Sequence, residues 1–386
     1  MKGKNSLLIK LLFAMLAGGL IGYLAPSWII RVLNSFSFIF GQFIKFVVPF
    51  IIVGLVTPAI ADAGRKAGRL LLITMGVAYA STLLSGAFAF CVSSSLFPAI
   101  LDGGLAQNVV TREFPACFKL EIPPVMGVTT ALAVSFMFGI GMVASGSKTL
   151  LLVFNEIKDV VSRTVERAVV PFLPLYILAV IADLAASGKL AIIGGSCLKI
   201  MVAAVLISVL IILLQYTVAG AIAGRNPLKA LWTMLPAYLT GWGCCSSAAT
   251  IPVTLRQTKA NGVSPETADL VVPLCANVHL SGSMANMVVY AAGLIVLAGE
   301  PICVGAFVEY ILMVSIVAVA SPGVPGGVVL ACASIAQDAL GFSSERYALM
   351  IAAYMALDGM GTACNLTGDG AIALIVDKFK RKDTVK

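Results

Sequence analysis

The chain has 386 residues, 60% of them hydrophobic and only 11% charged, with a formal charge of +8 and a mean hydropathy of +1.02. A soluble domain carries about a quarter of its residues as charges, so a water-soluble enzyme is excluded. The segments of ~10 alternating residues that a membrane barrel needs are also missing. The composition is that of an all-α polytopic membrane protein.

In chain order, apolar runs predict spanning helices near 5–30, 33–61, 69–98, 125–147, 168–186, 190–223, 264–298 and 345–377. The first begins MKGKNSLLIK, which could open a signal peptide, but its apolar run reaches about 20 residues, enough to cross a bilayer. Residues 99–124 follow Pro98, contain Gly103-Gly104 and Pro123-Pro124, and read as a polar outer loop. The stretch 149–167 carries Glu156, Lys158, Asp159, Arg163 and Arg167 and reads as a surface connector. Ser264-Pro265-Glu266 reads as an N-cap, a proline at the first helical position and an acid in the first turn.

Basic residues cluster between the apolar runs: Arg65, Lys66 and Arg69; Lys158, Arg163 and Arg167; Arg225 and Lys229; Arg256 and Lys259; and the tail from Lys378 to Lys386. By the positive-inside rule these loops face the cytoplasm, with both termini, in a bacterial-type inner membrane. The charge is thus a topology signal, and no nucleic-acid partner is expected. Nine cysteines and one histidine show no CxxC or Cys/His spacing, so zinc is not expected.

Two regions depart from simple spans. Between Arg225 and Lys259, GWGCCSSAATIP interrupts an apolar stretch flanked by basic residues. Between Glu300 and Asp338, SPGVPGG interrupts one flanked by acids. Both read as re-entrant helical hairpins, at 227–257 and 303–341, because freed backbone groups must be buried in protein or line a wet cavity. Each is followed by a long helix with a polar interruption, NVHLSGS at Asn277–Ser283 and NLTGDG at Asn365–Gly370. That recurrence is the pattern of an inverted repeat with a midplane site.

In the last helix, Asp358, Thr362, Asn365 and Asp369 fall at i, i+4, i+7 and i+11, which at ~100° per residue puts all four on one face. Thr362 and Asn365 would suit a packing stripe of interhelical hydrogen bonds, but a carboxylate in the membrane is costly and marks a functional site by default. The two acids lie ~16 Å apart along the helix, too far to share a proton as aspartic dyads do. Ser246 or Ser247 with His279 offers a second enzymatic reading, an intramembrane hydrolase. A channel is the other rival, although two gates from opposite faces favour alternating access. The remaining reading gives the acids separate roles: one meets a cationic group of a substrate, the other joins backbone carbonyls around a coupled cation.

These residues resemble the dicarboxylate/amino acid:cation symporter family, which has the glutamate-transporter fold. The resemblance covers nearly the whole chain and is strongest in SSAATIPVT (Ser246–Thr254), SPGVPGG (Ser321–Gly327) and LDGMGTACNLTGDG (Leu357–Gly370). It implies a homotrimer in the lipid bilayer, eight spanning helices and two hairpin gates per protomer, and elevator motion. Residues 1–68 and 99–189 would be scaffold; 69–98 and 190–386 would be the transport domain. It also implies that Asp358 binds a substrate ammonium, Thr362 the side-chain end and Asn365 the carboxylate. The backbone at Ser246, Ser247, Val324, Pro325 and Gly326 would close around the substrate. Asp369 with carbonyls of Asn365 and the helix-seven break would hold one sodium ion, and Ser321 with the Leu280 carbonyl another.

The departures from the family pattern are informative. Acidic-substrate members place an arginine at the position of Gly361, and the alternative arginine at the first hairpin tip is Cys245 here. Without a bidentate donor, a small neutral amino acid such as serine, threonine or alanine is favoured over glutamate, aspartate or a C4 dicarboxylate. The third sodium site's aspartate is replaced by Ser281 and its asparagine by His279, with Thr82, Ser85 and Gly86 at its helix-three positions. His279 is expected either to stay neutral and hydrogen-bonded or to carry a coupled proton.

Overall fold

The computed structural model describes residues 4–65, 69–101, 114–319, 321 and 326–384. No strand occurs among them. The helices are α1 (Lys4–Leu24), α2 (Ser27–Arg65), α3 (Arg69–Ile100), α4 (Val128–Ser145), α5 (Lys148–Thr164), α6 (Leu173–Ala186), α7 (Lys189–Ala223), α8 (Pro227–Cys244), α9 (Ser247–Ala260), α10 (Pro265–Val278), α11 (Ser281–Leu297), α12 (Val304–Val319), α13 (Gly327–Ala331), α14 (Ala333–Leu340) and α15 (Ser344–Thr384).

Among the described residues, six helical runs are long and apolar enough to cross a membrane: those within α2, α3, α5–α6, α7, α10–α11 and α15. Within the residues described in full, α1 and α4, also expected as spans, contribute the apolar runs Phe13–Leu24 and Thr130–Ser145. Large apolar side chains stand exposed along α7 at Leu198, Val202, Leu206, Leu210, Leu214, Val218 and Ile222. Spaced by four, they form one stripe on the helix, a surface that only lipid or another helix covers favourably. The protein is therefore an integral membrane protein.

Three expectations are corrected. The first break falls at Ala25-Pro26 and not after residue 30; proline there lacks a donor for a continuing helix. The charged stretch 149–167, read as a surface connector with no helix assigned to it, is the helix α5, which runs through a π turn (Val165–Val169) and a 3-10 turn (Val170–Phe172) into α6. Pro171 and Pro174 interrupt the ordinary hydrogen-bond ladder there, and the chain absorbs this by changing its turn without stopping. Finally, α15 passes unbroken through Asn365–Gly370, so only the helix after the first hairpin is interrupted.

Packing sorts the helices. α1 lies against α6, and α2 against α4, α5 and α6. The α1–α6 approach is close because Gly18 and Gly22 face backbone: a Cβ would come within 2.6 Å of the Leu178 carbonyl and 2.4 Å of the Ala182 carbonyl, the small-residue packing of membrane helices. α3, α7, α8, α9, α10, α11 and α15 form a second cluster around α15 and α11, every residue of α11 being buried. The two groups meet where α6 touches α7 and α15 and where α1 touches α15, with the Tyr176 hydroxyl donating to the Ser344 carbonyl at 3.2 Å; α12, α13 and α14 pack on α2. Residues 114–127 lie outside helices; Asn34 donates to the Phe114 carbonyl at 2.7 Å, and Cys117 N–H to Ser35 at 2.8 Å. α10 starts where the Ser-Pro-Glu signal placed it, but the Ser264 hydroxyl donates to Asp377 (2.5 Å) and makes no cap bond.

Candidate functional site

Three interruptions of helix converge on the polar face of α15. The first hairpin turns at Cys245, the one non-glycine residue with positive φ (48°) among those described. Ser246 follows as N-cap of α9, accepting from Ala249 N–H at 3.5 Å. The second is His279-Leu280, between α10 and α11, and the third is where the second hairpin resumes at Gly326 with φ 72°, just before α13.

They enclose a cavity of about 110 Å³, smaller than the ~150 Å³ void that accommodates benzene, with Cys245, Ser246, Ser247, Ser283, Ser321, Tyr354, Asp358, Thr362 and Asn365 in its wall. Asp358 is the one charged side chain among the described residues lining it. Its Oδ2 accepts the Gly326 N–H at 3.0 Å, which ties α15 to the second hairpin.

Asn365 occupies the crossing of α15 with α11. Its Oδ1 accepts from Gly282 N–H (2.7 Å) and Ser283 N–H (3.3 Å), and its Nδ2 donates to Ser283 Oγ (3.0 Å). It thus caps the open N-terminus of α11 from another helix, satisfying donors that a broken helix leaves orphaned. The crossing is tight because Gly282 has no side chain: a Cβ would meet Cys364 Cβ at 2.4 Å and the Gly361 carbonyl at 2.6 Å. Leu280 N–H goes to Thr82 Oγ1 at 3.1 Å, which ties the helix break to α3.

Deeper along α15, Asp369 and His279 are both fully buried, with Oδ1 and Nδ1 3.0 Å apart. The other ring nitrogen lies 3.0 Å from Ser81 Oγ and 3.3 Å from Gln215 Nε2, and Gln215 Nε2 also donates to Ser81 Oγ at 3.0 Å. A neutral imidazole with its hydrogen on Nδ1 satisfies every contact: it donates to Asp369 and accepts at Nε2. Asp369 Oδ2 has no partner among the described residues.

Asp358, Thr362, Asn365, Ser246, Ser247 and Ser321 are therefore brought to one cavity, with Gly326 bonded to Asp358. Val324 and Pro325 lie outside the described residues. Leu280 lines the cavity, whereas Ser281 is buried at the start of α11 and Gly361 faces Ser283 and Asn286. At the expected third cation site, Thr82 receives a backbone donor and Ser85 donates to the Ser81 carbonyl (2.7 Å). Ser81 and Gln215, which orient His279, were missed; Gln215 was visible as a lone amide in the apolar run IILLQYTVAG. His279 bonds Asp369, Ser81 and Gln215, not Ser246 or Ser247.

The family model described as "Sodium:dicarboxylate symporter family" matches residues 7–379. The chain belongs to the sodium:dicarboxylate symporter family. It is thus a transporter, which removes both enzymatic readings. Among family members, it is similar to proteins named serine/threonine transporter SstT. That of Acinetobacter baumannii is 26% identical, with 98% of each chain covered. That of Streptococcus thermophilus is 23% identical over 98% of this chain and 97% of its own. That of Streptococcus suis is 24% identical over 85% and 93%.

Proposed function

We propose that this protein is a sodium-coupled symporter of a small neutral amino acid of the serine, threonine or alanine class. The observation that carries this reading is the charge inventory of the cavity: one carboxylate, Asp358, and no cation among the described lining residues. An amino acid's ammonium meets Asp358, while its carboxylate meets neutral donors, the first-turn N–H groups of α9 near Ser247 and the second amide hydrogen of Asn365. A second substrate carboxylate would find no guanidinium, since positions 245 and 361 hold cysteine and glycine. The family's name mentions dicarboxylates, but these side chains suit the substrates for which the similar proteins are named.

For the coupled cation, the unpartnered Asp369 Oδ2 is the strongest support. A buried carboxylate oxygen without a donor is costly unless a cation meets it, and hard cations take carboxylate and carbonyl oxygen together. Asp369 and the Asn365 carbonyl form one proposed sodium site with the helix break. Ser321 and the Leu280 carbonyl form the second. Ser281 contributes no charge to a third, and His279, satisfied as a neutral ring, is read as a positioning residue and not as a proton carrier.

The finer architecture belongs to the same reading: eight spans and two hairpin gates of opposite entry, both termini cytoplasmic, assembled as a homotrimer. The cluster around α11 would move as an elevator against α1, α2 and α4–α6. The test is uptake by proteoliposomes of labelled L-serine, L-alanine, L-aspartate, L-glutamate and succinate under an imposed sodium or pH gradient. Sodium-driven uptake of serine or alanine is expected. Preference for aspartate or succinate, or uptake driven by the pH gradient alone, would overturn the substrate or cation assignment respectively.

A further inference from the structure

A second cavity, of about 330 Å³, opens on the surface between α3, α7 and α15. It has roughly twice the volume of the ~150 Å³ void that takes benzene. Its walls include Leu84, Leu214, Val218, Ile222 and Phe379, all of them exposed apolar side chains. Polar residues on its floor turn hydrogen bonds inward: Ser85 donates to the Ser81 carbonyl at 2.7 Å, and Gln215 Nε2 to Ser81 Oγ at 3.0 Å. An apolar occupant therefore suits it. Along α7 the groove runs from Ile211 to Ile222, ~16 Å at 1.5 Å per residue, which matches one leaflet of a ~30 Å hydrocarbon core.

Charge decides what fills it. The groove ends at Phe379, and helical register places Lys378, one heptad beyond Ala371 of the wall, on the same side of α15. The chain stays basic from there, with Lys380, Arg381, Lys382 and Lys386 against Asp383. The bonds from Lys199 to the Ile100 carbonyl and from Gln215 to Ser81 run α3 antiparallel to α7, so α3 begins at this end too, at Arg69. Nearby carboxylates are engaged: Asp377 accepts from Ser264, and Glu266 pairs with Lys380. We propose that this groove binds an acyl chain of an anionic phospholipid, whose phosphate meets Lys378 at the basic end of α15. A zwitterionic lipid offers the same chain but lacks the net charge that basic residues at a membrane surface attract. A second copy of this protein would bring positive charge to the same end and be repelled.

The experiment titrates the purified, delipidated protein in neutral detergent with dioleoyl phosphatidylglycerol, dioleoyl phosphatidylcholine or glycerol phosphate, and reads the melting temperature. The readout does not depend on which solute is carried. Phosphatidylglycerol is expected to raise the melting temperature at concentrations about 5- to 30-fold below those that phosphatidylcholine needs, the advantage that one or two basic residues give near a membrane surface. Lys378→Gln is expected to lower that preference about fivefold. Val218→Trp, which puts a larger side chain into the groove from an exposed position, is expected to remove the response to phosphatidylglycerol. Equal responses to the two lipids would mean an ordinary lipid-facing surface and overturn the proposal. So would a full shift from glycerol phosphate, which has no chain to place in the groove. An undiminished response in Val218→Trp overturns the groove as the site, and an undiminished preference in Lys378→Gln overturns its headgroup contact; the latter variant changes only a residue near the chain's end, so it reads the idea even if the tryptophan variant does not fold.

Discussion

Replacing Asp358 by asparagine keeps the shape of the side chain and its capacity to accept the Gly326 N–H, and removes the only charge in the described cavity wall. Truncating one partner of a buried charged pair costs ~3 kcal/mol, so uptake by Asp358→Asn is expected to fall about 100-fold or more in kcat/KM. Asp369→Asn acts elsewhere: its signature is a rise of about tenfold in the sodium concentration for half-maximal uptake, since cation sites are tuned by ligand charge, while substrate selectivity is unchanged. Equal sodium dependence in the variant would remove Asp369 from the cation site. The stripe that contains both acids was readable in the sequence because helical period alone puts four polar residues on one face. The use of Asn365 as a cap for α11 was not, and neither were the roles of Ser81 and Gln215. These depend on which helix crosses α15 at that height, information carried by no local pattern.

At the level of elements, the tight crossings are where single methyl groups matter. Gly282→Ala forces a Cβ into Cys364 and the Gly361 backbone. The expected destabilisation is about 1–3 kcal/mol, as for an overpacked core, together with loss of the Asn365 cap, measurable as a lower melting temperature and reduced uptake. The misreading of NLTGDG as a helix break has the same origin. Gly370 is small because the Tyr216 hydroxyl would lie 2.6 Å from its Cβ, and that hydroxyl donates to the Thr367 carbonyl at 2.8 Å. Glycine there permits close approach instead of stopping the helix. A different device closes the N-terminal end of α15, where Arg346 grips Glu300 with two bonds of 2.7 and 2.6 Å. The guanidinium's hydrogen bonds hold the Glu300 carboxyl below its ordinary value of 4.5. Its contribution is therefore complete above that value and is lost as the pH falls through the lowered one. Removing the pair in Arg346→Met is expected to flatten the fall of melting temperature below about pH 4.5; an unchanged acid limb would mean that the pair contributes nothing.

For the molecule as a whole, relative motion of the two helix groups can be tested where they meet. A Cβ on Gly41 of α2 would stand 3.9 Å from Ser344 Cβ at the start of α15, within the spacing of a disulfide, ~3.5–4.5 Å. The Gly41→Cys, Ser344→Cys protein, made in a background without the native cysteines, is expected to lose uptake on oxidation and regain it on reduction. Full activity of the oxidised form would exclude an elevator that slides at this contact. The two-hairpin architecture was legible before the structure because glycine and proline within long apolar stretches have few alternatives in a membrane. The proposed division into a moving and a fixed group came only from the family resemblance.

Gly368 lies against the imidazole: a Cβ there would come within 2.5 Å of His279 Cε1 and 2.6 Å of Gln215 Oε1. Positions 279, 215 and 368 are therefore one steric unit spread over α7, α15 and the break between α10 and α11, and they cannot drift independently over evolutionary time. A lineage that trades both the imidazole and the Gln215 amide for smaller side chains gains room for alanine or serine at 368. One that first acquires a side chain at 368 must give up the ring's hold on Asp369. Descendants of this chain should thus change these positions together, and the order of replacement should run from 279 and 215 to 368.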